Sequence, residues 1–270
     1  MQGIHLPDRL LLLLVASLLL VGCGRNHGMK IGKIKGEQLS APEYDVRDDR
    51  KARKRVKYEE LLTVVGDRFK RGELDEAAKF ARSAQKLDPK APDAFTAEAV
   101  VQARRGDVTA AGAAYRKAAE LAPRRGDVLS NYGAWLCGSG HPAEALVWFD
   151  RALADPDYTA RAETLANAGG CALDAGQSER AQNELRQALA LAPDNPYALE
   201  SMARNEVLHG RYFEARAFYQ RRLAAAPATL SVLQLAIQVE ERLGDRTAAG
   251  RFQQRLREEF PSDAASNPQG

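Results

Sequence analysis

Asn131 to Ala145 reads NYGAWLCGSGHPAEA, and the reading of this stretch decides the fold. Its first half carries Tyr132, Trp135 and Leu136 at helical spacing. Gly140 is expected to stop that helix. Pro142 suits the first turn of the next one, where its missing N–H has no partner to lose. The same form returns as NAGGCALDAGQSERA from Asn167 to Ala181. Such a pair of short helices cannot bury its apolar sides by itself and needs neighbours of the same kind.

The neighbours are visible as columns. Turn glycines fall at Gly72, Gly106, Gly140, Gly176, Gly210 and Gly244, and five places later stand Ala77, Ala111, Ala145, Ala181, Ala215 and Ala249. Both columns step by 34, 34, 36, 34 and 34 residues. Pro89, Pro123, Pro193, Pro227 and Pro261 form a third column, with Pro156 one place early. Two helices, a glycine turn and a terminal proline at this period resemble the tetratricopeptide (TPR) repeat. The expected fold is therefore all-α, a right-handed superhelical solenoid of six TPR helix-turn-helix units over residues 51–261.

Details within the units agree. Ala99, Gly133, Gly169 and Ala203 are small residues facing the alanine column, and Tyr115, Phe149 and Tyr219 take the aromatic position of the second helix. Unit one has Arg68 where an aromatic is usual, as suits an end unit. Unit five has Arg222 at an expected alanine. In unit six, Glu240, Glu241, Arg242, Gln253 and Gln254 read as the polarity of a closing cap. Apolar residues make up 45% and charged residues 28% of the chain, enough for a packed core. A net charge of +3 gives no reason to expect a nucleic-acid partner.

Residues 1–22 read as a lipoprotein signal peptide. The apolar run from Leu10 to Leu20 is too short to cross a bilayer, which takes about 20 residues, but it suits a signal h-region. The following Leu20-Val21-Gly22-Cys23 resembles a bacterial lipobox, with Cys23 as the lipidated residue; the alternative is an ordinary secretory signal with an incidental cysteine. Gly24, by resemblance to Gram-negative lipoproteins, points to the periplasmic face of the outer membrane. Residues 23–50 read as a lipidated flexible tether and 262–270 as a disordered tail. The tether ends in a basic run, Arg47 to Lys57 (RDDRKARKRVK). This is a solvated helix start with i,i+4 charge pairs or, on the sharper reading, a contact for an anionic membrane or an acidic partner.

With Cys23 assigned to lipid, Cys137 and Cys171 remain as an even pair in a compartment that permits disulfides. Counted from Gly126 and Ala162, they stand at positions 12 and 10 of neighbouring first helices. Two helical positions lie about 200° apart, so one side chain points forward and the other back. A bridge between units three and four is expected; the alternative is two buried thiols.

No catalytic constellation is present. The histidines lack metal-ligand spacing, and neither a phosphate-binding GxxxxGK[ST] loop nor a GxSxG elbow occurs. The expectation is a non-enzyme with no metal, no cofactor and no small-molecule substrate. In stacked helix pairs the first helices line the concave face. By periodicity, Leu62, Phe69, Leu173, Tyr197, Arg204, Val207 and Leu208 point there and are candidate partner contacts; the alternative is packing on a neighbouring unit.

The run NYGAWLCGSG, then Pro156-Asp157-Tyr158 with its two-residue insertion, then NAGGCAL, resembles the N-x-G-x-[FW]-L-C-x-x-G segment of the PilW (PilF) family of type IV pilus biogenesis and stability lipoproteins. The cysteine pair, the lipobox and the six units agree with it. The tether is longer and more basic than the family leads one to expect, and unit one is worn. The resemblance implies a pilotin. Such a protein sits on the inner leaflet of the outer membrane, binds the secretin subunit and promotes its localisation and multimerisation. The rival expectation is a generic lipid-anchored TPR scaffold, serving tight-adherence pilus assembly or acting as an adaptor of a peptidoglycan enzyme.

Overall fold

The computed structural model describes residues 49–261. The signal peptide, Cys23, most of the tether and the 262–270 tail lie outside the described residues. Among the described residues there are twelve helices and no strand. They form six antiparallel pairs. The first three are α1 (Arg50–Lys70) with α2 (Leu74–Leu87), α3 (Pro92–Arg105) with α4 (Val108–Leu121), and α5 (Gly126–Gly138) with α6 (Pro142–Leu153). The last three are α7 (Arg161–Asp174) with α8 (Ser178–Leu191), α9 (Pro196–Leu208) with α10 (Tyr212–Ala225), and α11 (Leu230–Leu243) with α12 (Arg246–Glu259). Each helix packs chiefly on helices one or two places away in sequence, the quasi-one-dimensional pattern of a solenoid.

The turn glycines close each pair in one way. All six have positive φ, from 71° at Gly210 to 84° at Gly140, where a side chain would be strained. The residue after each glycine donates its N–H to a carbonyl five residues back, as His141 does to Leu136 and Arg211 to Glu206. This is the Schellman closure, which satisfies carbonyls the ended helix leaves open. The alanine column then packs where the two helices of a pair cross. Five of its members are fully buried and Ala249 is 3% exposed. The small residues opposite are required by the crossing distance. A Cβ on Gly133 would come within 3.0 Å of Phe149, and one on Gly169 within 2.5 Å of Leu185.

One expectation is overturned. Glu240, read as cap polarity, is 1% exposed. It is clamped by Arg216 and by the Tyr219 hydroxyl from the preceding unit, because the side chain points inward between units rather than out at the end. Arg222 is also buried: it pairs with Glu200 at 3.3 Å and donates to the carbonyls of Ala226 and Pro227. A long guanidinium here satisfies the backbone at the unit's end, which an alanine could not do. The basic run is helical from Arg50 on, with Asp49 as N-cap and ion pairs Arg55–Glu59 and Lys57–Glu60.

Candidate functional site

The middle units carry the resemblance motif, and their side chains show what it builds. Trp135 lies against Gly112 of α4, where a Cβ would come within 2.4 Å of the indole, and against Tyr115 and Tyr132. Tyr132 also packs on Trp148, and the Arg151 guanidinium lies over that indole at 4.3 Å. The aromatics of the motif are thus core, binding unit two to unit three. The two-residue insertion folds back over the start of α5. Asp155 accepts the Gly126 N–H at 2.8 Å, and Tyr158 packs on Gly126, leaving no room for a Cβ there. The Tyr158 hydroxyl bonds Thr164, which bonds Ser130, each at 2.8 Å, so three hydroxyls stitch the unit three–unit four joint. Cys137 and Cys171 are joined as a disulfide across the same joint, with Cα atoms 5.9 Å apart, a separation natural for such a bond.

Beside that disulfide lies a shallow open cavity of about 230 Å³. It is lined by Ala134, Cys137 and Gly138 of α5, Asn167 and Asp174 of α7 and Tyr197 of α9. α9 approaches here because position 170 is glycine: a Cβ would fall 2.3 Å from the Tyr197 hydroxyl. Burial pushes the Tyr197 phenol above its ordinary range, and Asp174 adds to the shift. Asp174 itself pairs with Arg204 at 2.9 Å, with both side chains close to half exposed. Tyr197, Asp174 and Arg204 therefore frame the unit-five end of a groove whose floor is made of small residues. Such a floor leaves room for a peptide backbone to approach, and the half-exposed Tyr197 ring and the ion pair supply orienting contacts.

The seven concave candidates separate in the structure. Tyr197 is 44% and Leu208 65% exposed, and Arg204 is open to solvent. Leu62 is half-buried. Phe69 is partly buried against Val65, Ala77 and Ala81, and Val207 against Ala203, Tyr219 and Val232. Leu173 is 7% exposed and belongs to the core, since α7 is flanked by α5 and α9 and is buried along most of its length. The concave face extends beyond these seven. Carried to units two and three, the column of Arg204 gives Val100, 36% exposed, and Ala134, also exposed. Phe213, 72% exposed, lies at the start of a second helix, which a first-helix rule does not reach.

Among the described residues no group of three or more His, Cys, Asp or Glu side chains is placed to hold a metal, and no helix is long and apolar enough to cross a membrane.

Six glycine-closed helix pairs stacked in register define a tetratricopeptide-repeat solenoid. The tetratricopeptide repeat family model matches residues 162–195, which is unit four. Among curated relatives, cellulose synthase operon protein C of Pseudomonas fluorescens (strain SBW25) is 32% identical over 178 residues, 64% of this chain but only 14% of that protein. The type IV pilus assembly protein PilF of Pseudomonas aeruginosa is 27% identical over 193 residues, covering 72% of this chain and 77% of PilF. Its solved structure superposes with a TM-score of 0.69 at 25% identity, covering 77% of this chain and 94% of that one. PilW, described as a widely conserved type IV pilus biogenesis factor, superposes with a TM-score of 0.71 at 26% identity, covering 76% of this chain and 94% of PilW. The chain is thus similar, over nearly the whole solenoid, to TPR proteins of type IV pilus biogenesis.

Proposed function

We propose that this chain is a lipid-anchored pilotin. It acts without catalysis as a protein-binding module that takes the secretin subunit of the type IV pilus machinery to the outer membrane and promotes its multimerisation. The observation that carries this reading is the likeness to PilW, which extends over 94% of that protein. Three features support the finer steps. The lipobox at Cys23 supplies a membrane address. The groove framed by Tyr197, Asp174 and Arg204 supplies a surface for an extended or helical segment. The disulfide holds the floor of that groove at a fixed width.

The test is a gel of unboiled membranes from a deletion strain, probed for the secretin. The expected outcome is loss of the high-mass secretin band and its return with the wild-type gene. A Cys23→Ser gene is expected to leave the multimer misplaced or reduced. An unchanged band in the outer membrane refutes the pilotin reading. In that case a TPR scaffold for a different assembly takes its place, a second reading favoured by the 32% identity with the cellulose-operon protein.

A further inference from the structure

We propose that the first two turns of α1 are a docking surface for an anionic phospholipid bilayer. α1 has 21 residues, against 12 to 14 in every other helix. At 1.5 Å rise per residue it outruns its 14-residue partner α2 by about 10 Å. That excess and the residue after it carry Arg50, Lys51, Arg53, Lys54, Arg55 and Lys57, all exposed. Against Asp49, Glu59 and Glu60 they leave residues 49–60 with a net +3, the charge of the whole chain, so the remainder of the molecule is neutral overall. Positive charge is therefore concentrated at one end.

The local acids do not cancel it. Asp49 is engaged in capping the helix through the Lys51 N–H. Glu59 and Glu60 pair with Arg55 and Lys57 through exposed contacts of 3.9 and 3.1 Å, worth little in water. Among the described residues the side chains of Arg50, Lys51 and Lys54 make no ion pair. At 100° per residue the six cations cover more than half of the helix circumference. A folded acidic partner is met by one shaped face. A charge spread around a projecting helix suits the planar, diffuse field of a lipid surface, where each Lys or Arg adds attraction within about a Debye length.

The helix also stands at the correct end of the chain. Residues 24–48 separate it from Cys23, and a coil of that length reaches about 25–30 Å. An anchor at Cys23 would keep the cations close to the bilayer. The inference rests in this respect on the lipid-anchor reading, and the two are tested separately.

The chain from Gly24 to Gly270, made without its leader and hence without lipid, is sedimented with vesicles. One set contains phosphatidylglycerol and phosphatidylethanolamine, the other phosphatidylcholine alone. Binding is expected to the first set only and to fall as salt rises. Arg50→Gln/Lys51→Gln/Lys54→Gln is expected to lose on the order of 100-fold in affinity. Arg246→Gln/Arg251→Gln/Arg257→Gln, the same charge removed from exposed positions of α12, is expected to change it little. Equal binding to both vesicle sets, binding to neither, or equal losses in the two variants overturns the proposal. So does tight binding to polyglutamate without binding to vesicles, which would assign the helix to an acidic protein. If the first variant does not fold, the salt dependence of the wild-type chain decides. Fatty-acid labelling that Cys23→Ser abolishes reports the anchor whatever the vesicles show.

Discussion

The joint between units three and four and the joint between units five and six meet the same demand with different chemistry. In both, a first helix must be held against the pair before it. Between units three and four the contacts are a disulfide, an apolar cluster around Leu129, Leu165 and Ala168, and the hydroxyl chain Ser130–Thr164–Tyr158. Between units five and six an apolar cluster, Ala203 and Tyr219 with Val232, Leu235 and Ala236, is joined by buried charge in place of the disulfide and hydroxyls. Glu240 at 1% exposure takes Arg216 and the Tyr219 hydroxyl, and Arg222 and Ser231 share Glu200. Burial and the facing carboxylate push the Tyr219 phenol far above its ordinary range, so it stays protonated and donates at all physiological pH. A covalent or apolar joint tolerates loss of one hydrogen bond. A buried charged joint does not, because each remaining partner is left desolvated.

Three substitutions test that contrast, from the largest expected effect to the smallest. Glu240→Ala removes the carboxylate that holds both Arg216 and the Tyr219 hydroxyl and leaves Arg216 only a 3.8 Å contact with Asp245. Urea unfolding is expected to show a loss of about 3–5 kcal/mol, the usual cost of breaking a buried pair, with hydrogen exchange accelerated in α11 and α12 first. A loss no larger than that of an exposed ion pair would mean that the charged joint is no more fragile than the other. Cys137→Ser/Cys171→Ser opens a loop spanned by a sequence separation of 34. It is expected to cost about 3 kcal/mol, and a reductant is expected to bring the wild-type protein to the same midpoint. If the serine pair and the reduced protein differ, the sulfurs act through packing and not through the cross-link.

The third test lies between the two joints. Asn205 stands five residues before its turn glycine, the column occupied by Cys171 one unit earlier and by Val101 and Val239 in units two and six. It is fully buried, and both atoms of its amide lack a hydrogen-bond partner among the described residues. Asn205→Val is expected to raise stability by about 1 kcal/mol, seen as a higher urea midpoint at unchanged slope. A fall in stability would show that the amide has a partner in solution, and the column would then be polar by need at unit five.

Part of the site was legible because it is periodic. The glycine and alanine columns follow from backbone and crossing-distance constraints that repeat with the unit. The bridge between positions 12 and 10 was reached by counting along the same columns. What periodicity could not give is the partner that lets a charge stand in a buried column. Glu240 shares its column with the buried Leu136 and Ala172, and Arg222 with Ala118, Ala152 and Ala188, and each charge is met there by a partner 24 or 22 residues away. Leu173 failed as a concave candidate for a related reason. Its column is partly buried or exposed in the other units, but α7 is overlain by α9 at Gly170.

The sequence by itself determined the number of units, their boundaries, the turns and the identity of the residues at each helix crossing. These are local rules, and each is written within one 34-residue period. Only the tertiary structure decided how neighbouring units are joined, where Tyr197, Asp174 and Arg204 converge, and that the basic run continues a helix beyond its partner. Those outcomes depend on contacts between units. Steric fit and desolvation there act on pairs of residues that no single repeat contains.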